Sequence, residues 1–272
     1  MLKDAIMGLA VGDALGVPYE FRARDTYQAS EDMVGGGFHR QPAGTFSDDT
    51  SMTLATCDSL RATGGAVDVD DMRRRFIAWM EQGAYAIDGR VFDIGGTTAA
   101  ALRAGVGAAG EHDNGNGSLM RILPLAFTDA TDDQIAQVSA ITHAHSTSRR
   151  ACVTYVHLAR DLAAGMSVAD AIARIEDTTA PFTRLHDIAQ LPRHEIHSSG
   201  YVVDTLEAAL WCLATTTSYA DCVLAAVNLG EDTDTVAAVA GGLAGIVYGA
   251  AGIPGRWLDA LRGRDIIDRC LF

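Results

Sequence analysis

The stretch from Thr235 to Gly255, TVAAVAGGLAGIVYGAAGIPG, constrains the fold of this chain more than any other. It carries no charge, and its G-x-x-x-G spacings at Gly241, Gly245 and Gly249 are what two helices need to bring their backbones together. A segment of this length and apolarity either crosses a bilayer or forms the central helix of a water-soluble bundle. Alanine and glycine dominate it, Pro254 and Gly255 close it, and Glu231, Asp232 and Asp234 crowd its start with no basic flank. A central helix in a soluble bundle, with no membrane partner, is therefore expected.

Helical periodicity dominates the rest of the chain. It predicts a helix over 2–11 that runs into a GDALG turn, then helices over 49–62 and 68–83, the latter begun by acids and ended by Gly83. Further helices are expected at 97–107, 132–142, 148–164, 167–176, 202–215, 219–228, 234–250 and 255–262. Period-two alternation is scarce and no strand–helix alternation suggests a parallel sheet. The expectation is an all-α bundle forming one domain over 1–272, interrupted by loops at 18–47, 111–121 and 177–200.

The formal charge of −14 opposes binding to nucleic acid or to an anionic membrane. An anionic ligand would need local neutralisation by metal ions, helix N-termini or individual arginines. The five cysteines form no C-x-x-C pair, so a zinc knuckle or disulfide framework is not expected, and a reducing, cytoplasmic compartment fits best. Asp4 and Asp13 interrupt the apolar N-terminal stretch where a signal peptide needs an unbroken centre, so it reads as mature protein.

Two acidic clusters each open a hydrophobic helix. GTFSDDT (44–50) holds Ser47, Asp48 and Asp49, and GEDTDT (230–235) holds Asp232, Asp234 and Thr235. Each alone is an ordinary helix cap, since Ser, Thr and Asp are preferred there and acids complement the dipole. Together they are more acid than two caps need. If the two helix starts meet, four aspartates converge, and like charges at that density must take up protons or recruit cations. Carboxylate and hydroxyl oxygens suit hard ions such as Mg²⁺ or Mn²⁺, and four carboxylates suffice to bridge two ions about 3.5–4 Å apart. The sequence leaves open whether the clusters are two caps or one site.

Three further stretches carry polar chemistry. In DNGNGSLMR, Gly115 and Gly117 allow close backbone approach, Asn116 and Ser118 are short and polar, and Arg121 can fork onto a phosphate; the alternative is a plain turn. THAHS (142–146) places His143 and His145 two apart, which excludes a zinc pair on one helical face and leaves capping or ligand contact. FDIGGTT (92–98) sets Asp93 before a glycine turn, where a cap is the simpler reading.

Taken in order, GLAVGDALGVPYEF (8–21), GTFSDDTSMT (44–53), FDIGGTT (92–98), NGNGSLMRILPLA (114–126), THAHS (142–146), SGYVVDTLEAALW (199–211) and GEDTDTVAAVAGGLAG (230–245) resemble the ADP-ribosylglycohydrolase family. The resemblance implies an all-α fold with two divalent cations, Mg²⁺ or Mn²⁺, held by Ser47, Asp48, Asp49, Asp232, Asp234 and Thr235. It implies Glu20 as a mobile acid near the metals and Asp93 as an acid beside the scissile bond, the two catalytic candidates. Asn116, Gly117, Ser118 and Met120 would follow the diphosphate and ribose, with His145 near the same ligand. Ser199, Gly200 and Tyr201 would complete the substrate site, Tyr201 near the adenine. The implied activity is hydrolysis of the N-glycosidic bond between ADP-ribose and arginine of a modified protein. Alternatives are another ADP-ribosyl linkage, to serine or a small molecule, metal-dependent phosphoester cleavage, or a non-catalytic ADP-ribose binder. Loops 22–43 and 177–198 are the least family-like, and they should choose the acceptor.

Overall fold

The computed structural model describes residues 1–272 and contains helices and turns, with isolated backbone bridges but no strands. Two helices at its centre explain the rest. Helix α1 (Leu2–Gly16) and the helix formed by Thr233–Tyr248 lie backbone against backbone. A Cβ on Gly8 would collide with the carbonyl oxygen of Gly241, one on Gly12 with that of Ala237, and one on Gly16 with the backbone of Asp234. Only glycine fits at such an approach, and the glycines recur every four residues on one face of α1. This corrects the expectation that GDALG turns the chain. Gly12 and Gly16 are seam residues inside a continuous helix, which therefore delivers Asp13 and, just past its end, Glu20 to the start of the opposing helix.

The central-helix reading of the uncharged run is right in kind, and the seam uses Gly241 and Gly245. Gly249 does not take part; it sits at φ 67° just past Tyr248 with nothing near its Cβ position, and ends the helix. No helix is long and apolar enough to cross a membrane.

Around this pair stand α2 (Asp48–Ala62), α3 (Val69–Gln82), α4 (Gly96–Ala104), α5 (Asp132–Ser139), α6 (Ser146–Ala163), α7 (Val168–Ala173), α8 (Val202–Thr215) and α9 (Tyr219–Val227). The central run itself is α10 (Thr233–Tyr248), followed by α11 (Gly255–Ala260) and α12 (Arg264–Cys270). One continuous apolar core runs from Ala5 to Cys270 and takes in side chains from nearly every helix. Helix α12 was not expected, and the stretch after Arg121 forms a 3₁₀ turn over Leu123–Phe127. The consequence for the site is positional: α2 and α10 point their N-termini at the same end of the bundle, where the loops 18–47, 91–95, 111–121 and 198–201 surround them.

Candidate active site

The two acidic clusters meet. Thr235 Oγ1 lies 3.4 Å from Asp49 Oδ2 across the junction of α10 and α2. Capping does not account for the acids. Helix α2 is capped by Ser47, whose Oγ accepts the Asp49 amide (3.3 Å), and by Asp13, which accepts the amides of Ser47 (2.9 Å) and Thr50 (3.0 Å) and the Thr50 hydroxyl (2.6 Å). At the start of α10, Asp232 occupies the cap position without a side-chain capping bond. The carboxylates of Asp48, Asp49, Asp232 and Asp234 are thus left for another purpose; Asp48, Asp49 and Asp234 are buried and Asp232 is half-buried.

Their carboxyl oxygens form interlocking groups. Asp13, Asp49 and Asp234 place one oxygen each within 4.8 Å of one another, as do Glu20, Asp232 and Asp234. Glu20, His39 and Asp93 form a third group, in which His39 Nε2 lies 2.6 Å from Glu20 Oε2 and 3.5 Å from Asp93 Oδ1. Two oxygens, Asp49 Oδ1 and Asp234 Oδ2, are buried with no hydrogen-bond partner. Leaving ionised oxygens in that condition is costly, so they call for a cation or a proton beside them. Oxygen donors of this kind fit a hard divalent ion.

Electrostatics follow from the crowding. Burial, reinforced by neighbouring carboxylates, raises Asp48, Asp49 and Asp234 well above the usual range. Burial also lifts Asp13 to about 6 against the hydrogen bonds it accepts. Glu20 rises to about 8 and Asp93 to about 7, each through desolvation first and through like charges second. His39 is the one basic side chain in ion-pair range of these acids.

The carboxylates floor a cleft of about 690 Å³, a size typical of small-molecule sites. Glu20, Asp48, Asp93, Asp232 and Thr235 line it, with Gly115, Asn116, Gly117, Met120, Ser199 and Gly200 along another wall. Asn116 Nδ2 donates to Asp232 Oδ2 at 2.7 Å and so joins that wall to the acids. The glycines do what close approach requires: a Cβ on Gly117 would press on His143 and Thr98, and one on Gly115 on His143.

Several side chains are placed differently from the expectation. Arg121 does not reach the cleft; it is fully buried, bonds the Gly117 carbonyl and the Thr142 hydroxyl, and stacks over Phe76. Burial lowers its pKa to about 10, and its work is to brace the loop from behind. The Ser118 hydroxyl also turns inward, to Ser139 at 3.0 Å and toward Cys152. His143, rather than His145, lines the cleft, held by Thr142 Oγ1 at 2.8 Å and kept neutral by burial, which lowers its pKa to about 3. His145 instead caps α6, accepting the Thr147 amide. Tyr201 does not line the cleft; it is exposed at the residue preceding α8, beside the lining Gly200, with its backbone bridged to Gly115. Ser47 lies at the floor, donating to Asp49 Oδ2 at 3.0 Å.

Two participants carried a weak sequence signal. Asp13 is a lone acid in the run LAVGDALG, and a charge inside a buried helical face demands a partner; here it holds the start of α2. His39 follows three glycines in a loop without periodicity, and nothing local marks it.

A family model described as ADP-ribosylglycohydrolase matches residues 2–271. The chain is 38% identical to an ADP-ribosylarginine hydrolase Tri1 of Pseudomonas putida (strain GB-1), over 94% of this chain and 73% of that protein. It is 34% identical to the ADP-ribosyl-[dinitrogen reductase] glycohydrolase of Rhodospirillum rubrum, over 94% of this chain and 88% of that one. A solved structure titled ADP-ribosylglycohydrolase-related protein complex superposes with a TM-score of 0.84 at 33% identity, covering 98% of this chain and 94% of its own. The fold, the meeting of the two acidic helix starts and these likenesses agree: the chain belongs to the ADP-ribosylglycohydrolase family and is a hydrolase of glycosyl bonds to ADP-ribose.

Proposed function

We propose that the enzyme releases ADP-ribose from arginine side chains of proteins and that it requires two divalent cations, Mg²⁺ or Mn²⁺. The observation that carries the metal requirement is the pair of buried, unpartnered oxygens of Asp49 and Asp234 where α2 and α10 meet. Two of the oxygen groups share Asp234, which suits two neighbouring ions. Asp48, Asp49, Asp232 and Asp234, with the hydroxyls of Ser47 and Thr235, would hold them, and Asp13 would buttress Asp49 through the start of α2. When bound, the cations supply positive charge for an anionic ligand and a Lewis-acidic template for ribose hydroxyls and water.

The choice of arginine rests on the relatives at 38% and 35% identity, both named ADP-ribosylarginine hydrolases. The acid-lined mouth agrees with it, because a guanidinium acceptor is attracted where Glu20 and Asp93 stand. In the reaction the C1″–N bond breaks, water gives its hydroxyl to C1″, and its remaining proton ends on the departing guanidine nitrogen. The positive charge that develops at C1″ is stabilised by the surrounding carboxylates. Burial and like charge raise both Glu20 and Asp93, so each can carry a proton and the two act as a coupled acid–base pair. The protonated member gives a proton to the leaving nitrogen, and the ionised member receives one from water. The backbone at Gly115 and Gly117, with Asn116 and Met120, lines the space for diphosphate and ribose, and His143 bounds it.

The test is ADP-ribose release from an ADP-ribosylarginine protein with Mn²⁺, with Mg²⁺ and with chelator, beside Asp234→Ala. Release that needs a cation and falls about a thousandfold in the variant supports the reading. Metal-dependent binding of ADP-ribose without release would shift it to another linkage, and AMP as product would indicate phosphoester cleavage instead.

A further inference from the structure

The mouth of the cleft carries an exposed aromatic pair that the chemistry described above does not use. Phe21 is 60% exposed and Phe38 71% exposed, more than any other Phe, Tyr or Trp side chain of the protein. The two rings stand edge to face, centroids 5.0 Å apart at 87°, and both lean on His39, at 5.9 and 5.1 Å. Phe92 completes the group on the far side of His39 at 5.1 Å. Since His39 is bonded to Glu20 and reaches Asp93, the pair is fixed to the acids at the reacting end of the cleft, and Phe21 itself lines it.

The backbone holds Phe21 outward at a cost. Its φ is 63°, a left-handed conformation that a bulky residue rarely adopts, and Glu231, whose carbonyl accepts the Phe21 amide and which bridges to Arg22, has φ 62°. Two backbone hydrogen bonds lock the arrangement: Phe21 N–H to the Glu231 carbonyl (2.8 Å) and Glu231 N–H to the Arg22 carbonyl (2.7 Å). Two neighbouring arginines are occupied elsewhere, Arg22 over the Tyr27 ring and Arg24 on the carbonyls of Leu229, Arg193 and Ile196, while Arg40 is exposed beside His39. Glu231, exposed, lines the same mouth. Strained backbone, two rigid ring surfaces and a carboxylate side by side make a platform for something both apolar and positively charged.

We propose that Phe21 and Phe38 form the acceptor platform, which receives the polypeptide flanking the modified arginine, in particular a basic or aliphatic side chain laid on the phenyl rings. The inference rests on the reading that the acceptor is a protein arginine, and it assigns to these two residues the discrimination between a protein and a small-molecule acceptor. The occupant follows from continuity with the cleft, whose reacting acids lie directly behind the pair, and from the charge of the mouth.

The experiment compares kcat/KM for an ADP-ribosylarginine protein with kcat/KM for free ADP-ribosylarginine, in the unsubstituted enzyme, Phe38→Ala, Phe21→Ala and Phe38→Tyr. The ratio of protein to free substrate is expected to fall about tenfold in each alanine variant, mainly through KM, and to return in Phe38→Tyr. Phe38→Ala is the cleaner variant, because a ring so exposed leaves little packing behind. An unchanged ratio, with or without an equal loss on both substrates, overturns the platform while leaving the arginine activity intact. Failure of the unsubstituted enzyme to cleave either substrate overturns the arginine reading and the platform with it.

Discussion

Helices α2 and α3 begin almost alike in sequence and entirely differently in space. SDDT opens one and DVDD the other, each with a capping side chain and two aspartates in the first turn. At α3 Asp70 faces solvent and Asp71 is half-buried against Ser59, and both have arginines one turn on: Arg73 pairs with Asp70 at 3.1 Å, and Arg74 and Arg75 with Asp71 at 3.1 and 2.6 Å. Net attraction results, so that Asp71 is held below its usual pKa despite some burial. At α2 the acids face α10 and meet more acid, with no arginine in range, and their pKa values rise. Acid content at a helix start therefore says little about function. What makes a site is burial against like charge, which only a bound cation or proton relieves.

The contrast can be broken by exchanging carboxylate for amide at each helix. The largest effect is on activity: Asp49→Asn should lower ADP-ribose release about a thousandfold, whereas Asp71→Asn should leave it within about twofold. A steady-state assay on both variants checks this. The next effect is on stability and has opposite signs. In chelator at pH 8, Asp49→Asn should raise the unfolding free energy by about 1–2 kcal/mol, because it removes buried repulsion. Asp71→Asn should lower it by about 1 kcal/mol, through lost dipole and ion-pair interactions. Denaturant titration measures both, and equal signs would contradict the comparison.

A smaller effect concerns pH. Asp13, Asp93 and Glu20 have folded pKa values of about 6, 7 and 8, raised from ordinary values near 4. The folded state then binds more protons than the unfolded state between about pH 4 and 8. Stability from these groups is complete below pH 4 and is lost as the pH rises through 6 to 8. The metal-free enzyme should lose several degrees of Tm between pH 5 and 8 by calorimetry. Saturating Mg²⁺ or Mn²⁺ should flatten that slope, since a cation takes the place of the protons.

Much of the scaffold was legible because its signals are local. The period of apolar residues gives α8 at 202–215 residue for residue, and Gly83 ends α3 in the left-handed conformation expected of it. The GDALG stretch misled because a glycine inside a helix reads as a breaker unless the facing backbone is known, and that backbone lies more than two hundred residues away. The candidate site divides in the same way. The acid clusters stand out in the sequence, but their meeting depends on α1 and α10 sharing a seam. Arg121 looks like a phosphate-facing group and His145 like a cap or a ligand contact; the fold makes the first a buried brace and takes the capping alternative for the second. His143 and His145 differ only in which side of a turn they occupy, a difference that local pattern does not encode.

The central claim, that the starts of α2 and α10 form one cation site rather than two caps, is tested most directly by equilibrium Mn²⁺ titration of Asp49→Asn, Asp234→Asn and the double variant. A shared site predicts two ions per chain in the unsubstituted enzyme, severe loss of affinity in either single variant, and little further loss in the double. Independent losses that add, or Mn²⁺ binding unchanged in Asp49→Asn, would contradict it.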